Sequence, residues 1–186
     1  MGGIDILVNN AGSIERFGEF FDLTQKDWIN AWQVNLMSAV NASRFAYQHI
    51  KHSEQGRIIN ISSITAMQPG GFNPHYSAAK AALINFSKHL ANRLAGDKIL
   101  VNTLVLGNFD SAGWQSYLDH FATTNKMDRE EVAINQTEYI DGTISLGRMG
   151  RVNEIVPLVL LLASQLSAWT TGSCIVVDGG KLKAVH

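Results

Sequence analysis

Short apolar runs alternate with longer segments of helical periodicity along this chain. The apolar runs are nearly continuous rather than interrupted at every second position, which is typical of strands buried on both faces. Four such strands are predicted, over residues 4–8, 57–62, 99–106 and 173–177. Helices are predicted between them, over residues 24–52, 74–94 and 153–166. Thr24 and Asp27 form a capping box that opens the first helix, and Gly96 takes the position that stops the second.

Strands separated by helices indicate βαβ units, and therefore a parallel sheet with helices on both faces. A chain of 186 residues suits one domain, so residues 1–186 are predicted to form a single α/β domain with a doubly wound parallel sheet. Residues 108–146 are a variable segment, helical in part. Ligands of such sheets bind beyond the carboxyl ends of the strands. The polar segments there, residues 9–13, 62–63 and 107–111, should therefore line one crevice.

The composition argues against several classes of protein. With 15 basic and 16 acidic residues, the chain has no electrostatic footprint for nucleic acid or an anionic membrane. No apolar run is long enough to span a bilayer. The single cysteine, Cys174, excludes a disulfide within the chain and agrees with a cytoplasmic setting. The histidines have no acidic or cysteine companions at metal-ligand spacing, so no metal site is predicted.

Tyr76 and Lys80 are four residues apart on the second long helix and therefore share one face. A phenol has an ordinary pKa of about 10, and an adjacent ammonium favours the phenolate by Coulomb attraction. Lowering that pKa to about 7 takes about 4 kcal/mol. A close lysine and a helix dipole in a dry cleft could supply this free energy. On the pair alone, a solvated helix face explains the spacing equally well.

Two further polar residues fall at informative positions. Ser63 directly follows a strand, at the crevice, where its hydroxyl could donate to a substrate carbonyl; the alternative is a serine that caps a loop. Asn35 lies inside a helix, where an amide has little intrinsic preference, unless it is simply an exposed position.

These residues, taken together and in order, resemble a known family. The chain is similar to the short-chain dehydrogenase/reductases, nearest to the 3-oxoacyl-acyl-carrier-protein reductase type. The similarity runs from about residue 4 to residue 180, and the spacing of thirteen between serine and tyrosine matches. The matching motifs are Asn9-Asn10-Ala11-Gly12, Asn35, Ser63, Tyr76-x-x-x-Lys80, and the segments 99–107, 146–150, 160–164 and 171–180.

The resemblance implies an oxidoreductase that transfers a hydride between NAD or NADP and a carbonyl or secondary alcohol substrate, on a Rossmann-like fold. Tyr76 would be the general acid and base. Lys80 would lower the pKa of this phenol and hold the cofactor ribose. Ser63 would fix and polarise the carbonyl, and Asn35 would hold a water that links the lysine to solvent.

The resemblance also implies a cofactor site and an assembly. Family members usually form dimers or tetramers, so a homo-oligomer is expected. A small-molecule substrate is the other expected partner. Besides Tyr76 and Lys80, the residues that would border the cofactor are Asn10, Ala11, Gly12, Gly107, Phe109 and Ser111.

The family pattern is broken at the start of the chain. The Gly-x-x-x-Gly-x-Gly turn that receives the pyrophosphate has no counterpart, nor does the residue that separates NAD from NADP. We therefore expect an N-terminally truncated domain, from a fragment or a truncated gene product, unless a partner covers the open edge. The first strand should then present unpaired backbone groups beside exposed isoleucine and leucine.

Three alternatives stay open at this point. The chain could be a non-catalytic remnant of the family that acts through oligomerisation. Ser77 and Lys80 match the Ser-x-x-Lys motif of acyl hydrolases, although the companion motifs are absent. The substrate pocket is also undecided, because its aromatic stripe could equally pack on the core. The candidate lining residues are Ile14, Met67, Phe72, Trp114, Tyr117 and Phe121.

Overall fold

A computed structural model describes residues 3–184 and contains two parallel sheets. The strands are β1 (Ile6–Asn9), β2 (Arg57–Ser63), β3 (Leu100–Leu106), β4 (Phe109–Asp110), β5 (Gly150–Arg151) and β6 (Cys174–Val177). The main sheet has the order β1-β2-β3-β6, and β4 pairs with β5. All pairs are parallel. The four predicted strands are confirmed, each within two residues of its predicted ends.

The helices connect these strands as predicted, with two corrections. They are α1 (Gln25–Trp32), α2 (Ser38–Ile50), α3 (Pro74–Leu94), α4 (Ala112–Asn125), α5 (Arg129–Asp141) and α6 (Val156–Ala163). The last helix is shorter than expected, because separate 3₁₀ turns flank it on both sides. Gly96 does not stop α3: a 3₁₀ turn continues the chain, and Lys98 takes the left-handed conformation at φ 59°.

The predicted helix over residues 24–52 is one continuous rod with a change of pitch. Its capping box is present: the Thr24 amide donates to the Asp27 carboxylate at 2.8 Å, and the Thr24 hydroxyl accepts from the Asp27 amide. Between α1 and α2, the five residues Gln33–Met37 form a π-helix. Such insertions are rare and often occur at functional sites.

Side chains alternate along β2 between two cores on opposite faces of the sheet. Ile58 packs with α2 and α3, in a core completed by Val101 of β3. Ile59 and Ile61 face the other way and pack against Leu162 of α6. Helices therefore cover both faces, which confirms the doubly wound α/β arrangement.

Polar side chains replace the apolar ones at the middle of the α2/α3 face. Asn9 Nδ2 donates to Asn60 Oδ1 at 2.7 Å and to Ser43 Oγ of α2 at 3.1 Å. Asn60 Nδ2 donates in turn to Ser87 Oγ of α3 at 2.7 Å. All four residues are buried. This line of hydrogen bonds fixes both helices against β1 and β2.

The first strand forms an edge of the sheet. Within residues 3–184, β1 pairs with β2 alone. Ile6 and Val8 on this strand, and Ile4 just before it, are 38–41% exposed. The predicted open edge is confirmed, with Val8 rather than leucine as the third exposed side chain. No helix in the described part of the chain combines the length and apolar character needed to cross a membrane.

Candidate active site

The crevice is organised by the contact between the end of β2 and the first turns of α3. Pro74 occupies the first position of α3, where its missing amide costs nothing. Ser62 Oγ donates to the backbone oxygen of Lys80 at 2.9 Å, which pins the helix to the strand end. Ser63 follows, half-buried, and its hydroxyl accepts from the backbone and side chain of Thr65 at 3.3 and 3.1 Å.

The phenol of Tyr76 lies near the hydroxyl of Ser63. Burial raises the pKa of Tyr76 above its ordinary value, because it penalises the charged phenolate. The neighbouring Ser63 hydroxyl acts in the opposite direction and lowers that pKa. The net direction is upward, so Tyr76 is a neutral phenol, a proton donor, at neutral pH.

Lys80 lies beside this pair and is almost completely buried, with 3% of its surface exposed. Its amine donates to the Ile61 carbonyl at 3.0 Å and lies 5.7 Å from the centre of the Tyr76 ring. Burial lowers the pKa of Lys80 to about 8. The pKa of Tyr76 is raised in this structure, so the predicted net lowering is not observed. The attraction between Lys80 and a phenolate stays a prediction. The amine is itself desolvated, and the causes that set the Tyr76 pKa are burial and Ser63.

Asn35 lies in the π-helical segment and is 1% exposed, so it is not the solvated helix position that was the alternative. Its Nδ2 donates to the Ser13 carbonyl at 2.9 Å and to the Ala31 carbonyl at 3.1 Å. Its Oδ1 accepts from the Ser13 amide at 3.1 Å. The amide therefore satisfies a helix carbonyl and clamps the loop that follows β1.

Gly12 brings that loop against the lysine. A Cβ at this position would lie 2.8 Å from Lys80 Nζ and 3.0 Å from Asn35 Oδ1. Only the absence of a side chain lets the backbone lie against both groups. Asn10 and Ala11 precede it and are exposed. Asn35, Tyr76 and Lys80 thus lie close together at the end of β2, where Ser63 lies, and the loop after β1 lies beside them.

Comparisons with known proteins identify the family in which this arrangement occurs. A family model described as enoyl-(acyl carrier protein) reductase matches residues 1–181. The chain belongs to the short-chain dehydrogenase/reductase family. Its members are NAD(P)-dependent oxidoreductases.

Individual relatives agree with this membership. The uncharacterized oxidoreductase YvaG of Bacillus subtilis is 31% identical over 98% of this chain and 69% of its own length. The 3-oxoacyl-acyl-carrier-protein reductase of Aquifex aeolicus is 35% identical over 96% of this chain and 65% of its own. L-sorbose reductase of Gluconobacter frateurii, solved with NADPH and L-sorbose, superimposes with a TM-score of 0.89 at 30% identity, over 100% of this chain and 69% of its own. The chain spans about two thirds of the length of these relatives.

The residues of this dehydrogenase/reductase fit the nicotinamide and ribose end of a dinucleotide. An ammonium has three donors, and one of those on Lys80 is used on the Ile61 carbonyl. The side-chain-free backbone at Gly12 lies next to it, where a Cβ would fill the space. Together they offer cationic donors beside accessible backbone, which suits ribose hydroxyls.

Residues 107–111 of the reductase chain, which follow β3 and include the other predicted cofactor contacts, lie against a different part of the structure from the loop after β1. The Gly107 amide donates to the Val177 carbonyl at 2.9 Å, and a Cβ on Gly107 would lie 2.7 Å from Asp178 Cα. Phe109 belongs to β4 and packs on Gly150. Ser111 caps α4 through the Trp114 amide. These contacts run to the C-terminal loop and to α4; the role of the segment at the cofactor stays a prediction.

The structure of this family member bears on two of the earlier alternatives, the Ser-x-x-Lys pair and the packing of the aromatic stripe. Ser77 Oγ donates to the Asn73 carbonyl, while the Lys80 amine is bonded to Ile61, so the Ser-x-x-Lys pair is not assembled. The aromatic stripe of α4 packs against the core that α4 shares with α5. Trp114, Tyr117 and Phe121 are partly buried against it, which supports the core-packing interpretation, while a role of their remaining exposed surface in lining the substrate pocket stays a prediction.

Several residues that shape this site were missed. The buried hydrogen bond between Asn9 and Asn60 was not predicted; an amide in the middle of an apolar strand, as at Asn60, is the available signal. Phe17 had no signal, because its contacts are with segments distant in sequence. His75 is buried beside Tyr76 and packs edge-on to Trp28, and burial lowers its pKa.

Proposed function

We propose that this chain exchanges a hydride between NAD(P)(H) and a carbonyl or secondary alcohol, with Tyr76 as the general acid and base. The placement of Ser63 at the end of β2 and of Tyr76 in the first turn of α3, with the Lys80 amine 5.7 Å from the tyrosine ring centre, carries the proposal, because both hydroxyls would meet the same substrate oxygen. When bound, the nicotinamide cofactor supplies or accepts the hydride. The short-chain dehydrogenase/reductase relatives support this chemistry.

In the reductive direction, the chain's own groups act on the carbonyl oxygen. Ser63 donates a hydrogen bond that holds the oxygen and stabilises the negative charge that develops on it. Tyr76 then donates its proton to that oxygen. Its raised pKa keeps the phenol protonated at neutral pH, as a proton donor requires. In the oxidative direction the phenolate would accept the proton, so alkaline pH should favour oxidation.

Lys80 stabilises the phenolate left behind after proton transfer. A cationic amine 5.7 Å from the ring centre acts strongly in a site that excludes water. With a pKa of about 8, the amine is largely protonated at neutral pH and can also return a proton. Asn35 positions the loop beside Lys80, and we assign to it the water that links this lysine to solvent.

We assign the cofactor to the residues around the crevice. Lys80 and Tyr76 would hold its ribose, and the exposed backbone after β1 would lie along it. The segment after β3 would border the nicotinamide. The full set is Asn10, Ala11, Gly12, Tyr76, Lys80, Gly107, Phe109 and Ser111.

We also propose a small carbonyl or alcohol substrate, a cytoplasmic setting, and a single catalytic domain whose residues 108–146 meet the substrate.

We further propose a homo-oligomer, as a dimer or tetramer, which is supported by exposed apolar side chains on two surfaces. Leu166 and Trp169 lie near the C-terminus, and Trp32 and Phe45 lie on the long helical rod. Sedimentation velocity of the purified chain tests the assembly, and a monomer at micromolar concentration would contradict it.

Consumption of NADPH or NADH by the purified chain tests the activity, with L-sorbose and an acetoacetyl thioester as carbonyl probes. Because the pyrophosphate turn has no counterpart in this sequence, we expect weak cofactor binding and therefore turnover with one of them only at high cofactor concentration, with a loss of about 10²–10⁴-fold in Tyr76→Phe. Tyr139→Phe is the matched control, because this exposed tyrosine lies on α5 away from the crevice. Circular dichroism should show both variants folded. Turnover of Tyr76→Phe at the wild-type rate would refute the acid–base assignment; no turnover by folded wild-type chain would favour a non-catalytic remnant.

A further inference from the structure

Phe17 joins three segments that are distant in sequence. Its ring stacks on His120 of α4 with 4.8 Å between centroids and 23° between planes. It meets Tyr117 of α4 edge-on at 6.0 Å and stacks on Phe72, in the loop before α3, at 6.5 Å. Stacked and edge-to-face pairs at such separations are attractive beyond the area they bury. We call these four rings the aromatic latch.

The helices α4 and α5 form a hairpin that packs mainly on itself. Its core consists of Leu118, Ala122 and Val132. The Tyr117 hydroxyl donates to Gln136 Oε1 at 3.1 Å, which joins the two helices again. At the base, the short β4–β5 pair connects the hairpin to the main body. A two-helix unit of this size is marginal without further packing, so what docks it decides its stability.

The other side of the latch is firmly held. The Gly18 amide donates to Asn73 Oδ1 at 3.1 Å, and the Asn73 amide donates to the Gly18 carbonyl at 2.8 Å. Asn73 directly precedes α3, whose first turn carries Tyr76. At its other end the same loop is clamped through Ser13 by Asn35. Phe17 therefore projects from a loop that is anchored to Asn35 at one end and to the start of α3 at the other.

We propose that Phe17 is a positioning residue that fastens the α4–α5 hairpin to the loop after β1 and thereby sets the affinity for substrate. The second half of this statement rests on the proposed function. Because the loop of Phe17 is bonded to Asn35 and Asn73, the latch fixes the hairpin relative to the reacting groups rather than only to the fold. Loss of the ring should leave Tyr76, Ser63 and Lys80 in place.

Hydrogen exchange of the ligand-free protein tests the fastening directly. Phe17→Leu keeps an apolar side chain but removes the ring, and exchange over residues 112–141 should accelerate about two- to tenfold. Phe21→Leu is the matched control: this phenylalanine is 94% exposed, and its ring contact is with Phe20. His120→Leu should accelerate exchange similarly, and combining it with Phe17→Leu should add little. Equal exchange in Phe17→Leu and wild type would overturn the proposal.

Steady-state kinetics with whichever carbonyl probe the wild type reduces tests the consequence. We expect the KM of Phe17→Leu to rise about two- to tenfold while kcat changes less than about twofold, since the proton donor is untouched. An unchanged KM with accelerated exchange would refute the link to substrate. Failure of the wild type to reduce any probe would count against the proposed function, while the exchange experiment still decides the fastening.

Discussion

The two sides of the crevice are built in different ways. On one side, α3 is joined to the sheet by directional hydrogen bonds between buried groups: Ser62 to the Lys80 carbonyl, Lys80 to the Ile61 carbonyl, and Asn60 to Ser87. On the other side, the α4–α5 hairpin has its own small core and meets the body through ring contacts centred on Phe17.

This difference matches the demands on each side. Proton transfer requires groups fixed within a fraction of an ångström, which buried and mutually bonded side chains provide. Hydrogen bonds are directional, so they fix the rotation of α3 as well as its distance. Ring contacts tolerate sliding and can be broken without leaving buried polar groups unpaired. Contacts of this kind therefore suit a surface that must move when a ligand enters and leaves.

Asn60→Ala should have the largest effect on stability. The change leaves the Asn9 amide without its acceptor at 2.7 Å and removes the donor to Ser87, in a fully buried place. We expect a loss of about 2–4 kcal/mol in the free energy of unfolding, measured in urea. Asn41→Ala on the exposed face of α2 is the control and should cost less than about 1 kcal/mol. Similar losses in the two variants would contradict the rigid-side description.

The second prediction concerns the buried amine. Lys80 has a pKa of about 8 in the folded protein and an ordinary value of 10.5 when unfolded. Between these values the unfolded state binds more protons than the folded state, so the free energy of unfolding rises with pH. From about pH 8 to pH 10 the wild type should gain about 2–3 kcal/mol relative to Lys80→Met.

Urea unfolding of both proteins across this pH range measures the difference. Lys88→Met, an exposed lysine two turns further along α3, is the control and should keep the wild-type pH dependence. A constant difference between wild type and Lys80→Met would show that the amine is not desolvated. Above about pH 10, ionisation of Tyr76 should lower the free energy of unfolding of both proteins, because burial raises the pKa of this phenol in the folded state.

Local signals in the sequence were enough for most of the rigid side. Continuous apolar runs and the Thr24 capping box predicted the strands and the long helical rod, since both depend on neighbours in sequence. The carboxyl-end rule placed Ser63 near the helix of Tyr76 because it follows from topology alone. The direction of the Tyr76 pKa could not be predicted this way. It depends on desolvation of both Tyr76 and Lys80 by the whole fold, which opposes the attraction between them and cannot be read from neighbouring residues in the sequence.

The hairpin side was predicted far less well. The aromatic periodicity of α4 was visible, but the sequence did not decide which surface it packs on. The partner ring, Phe17, lies about a hundred residues earlier in the chain, in a loop without periodicity. Contacts of this kind depend on how two independently formed units dock, and a single sequence carries no local trace of that geometry.

Removal of a helix cap gives the smallest effect and the finest test of the comparison. Asp128 caps α5, with Oδ1 accepting from the amides of Glu130 and Glu131 at 2.9 and 3.0 Å, and Thr24 caps α1 on the rigid side. Each change to alanine removes about 1 kcal/mol of local stabilisation. In Thr24→Ala the loss should appear in the global free energy of unfolding, because α1 is continuous with the rod that packs on the sheet. In Asp128→Ala it should appear as faster hydrogen exchange confined to α5, with the global value nearly unchanged, because the hairpin can open alone. Equal global losses would show that the hairpin and the sheet unfold as one unit, and the distinction between the two sides would not hold.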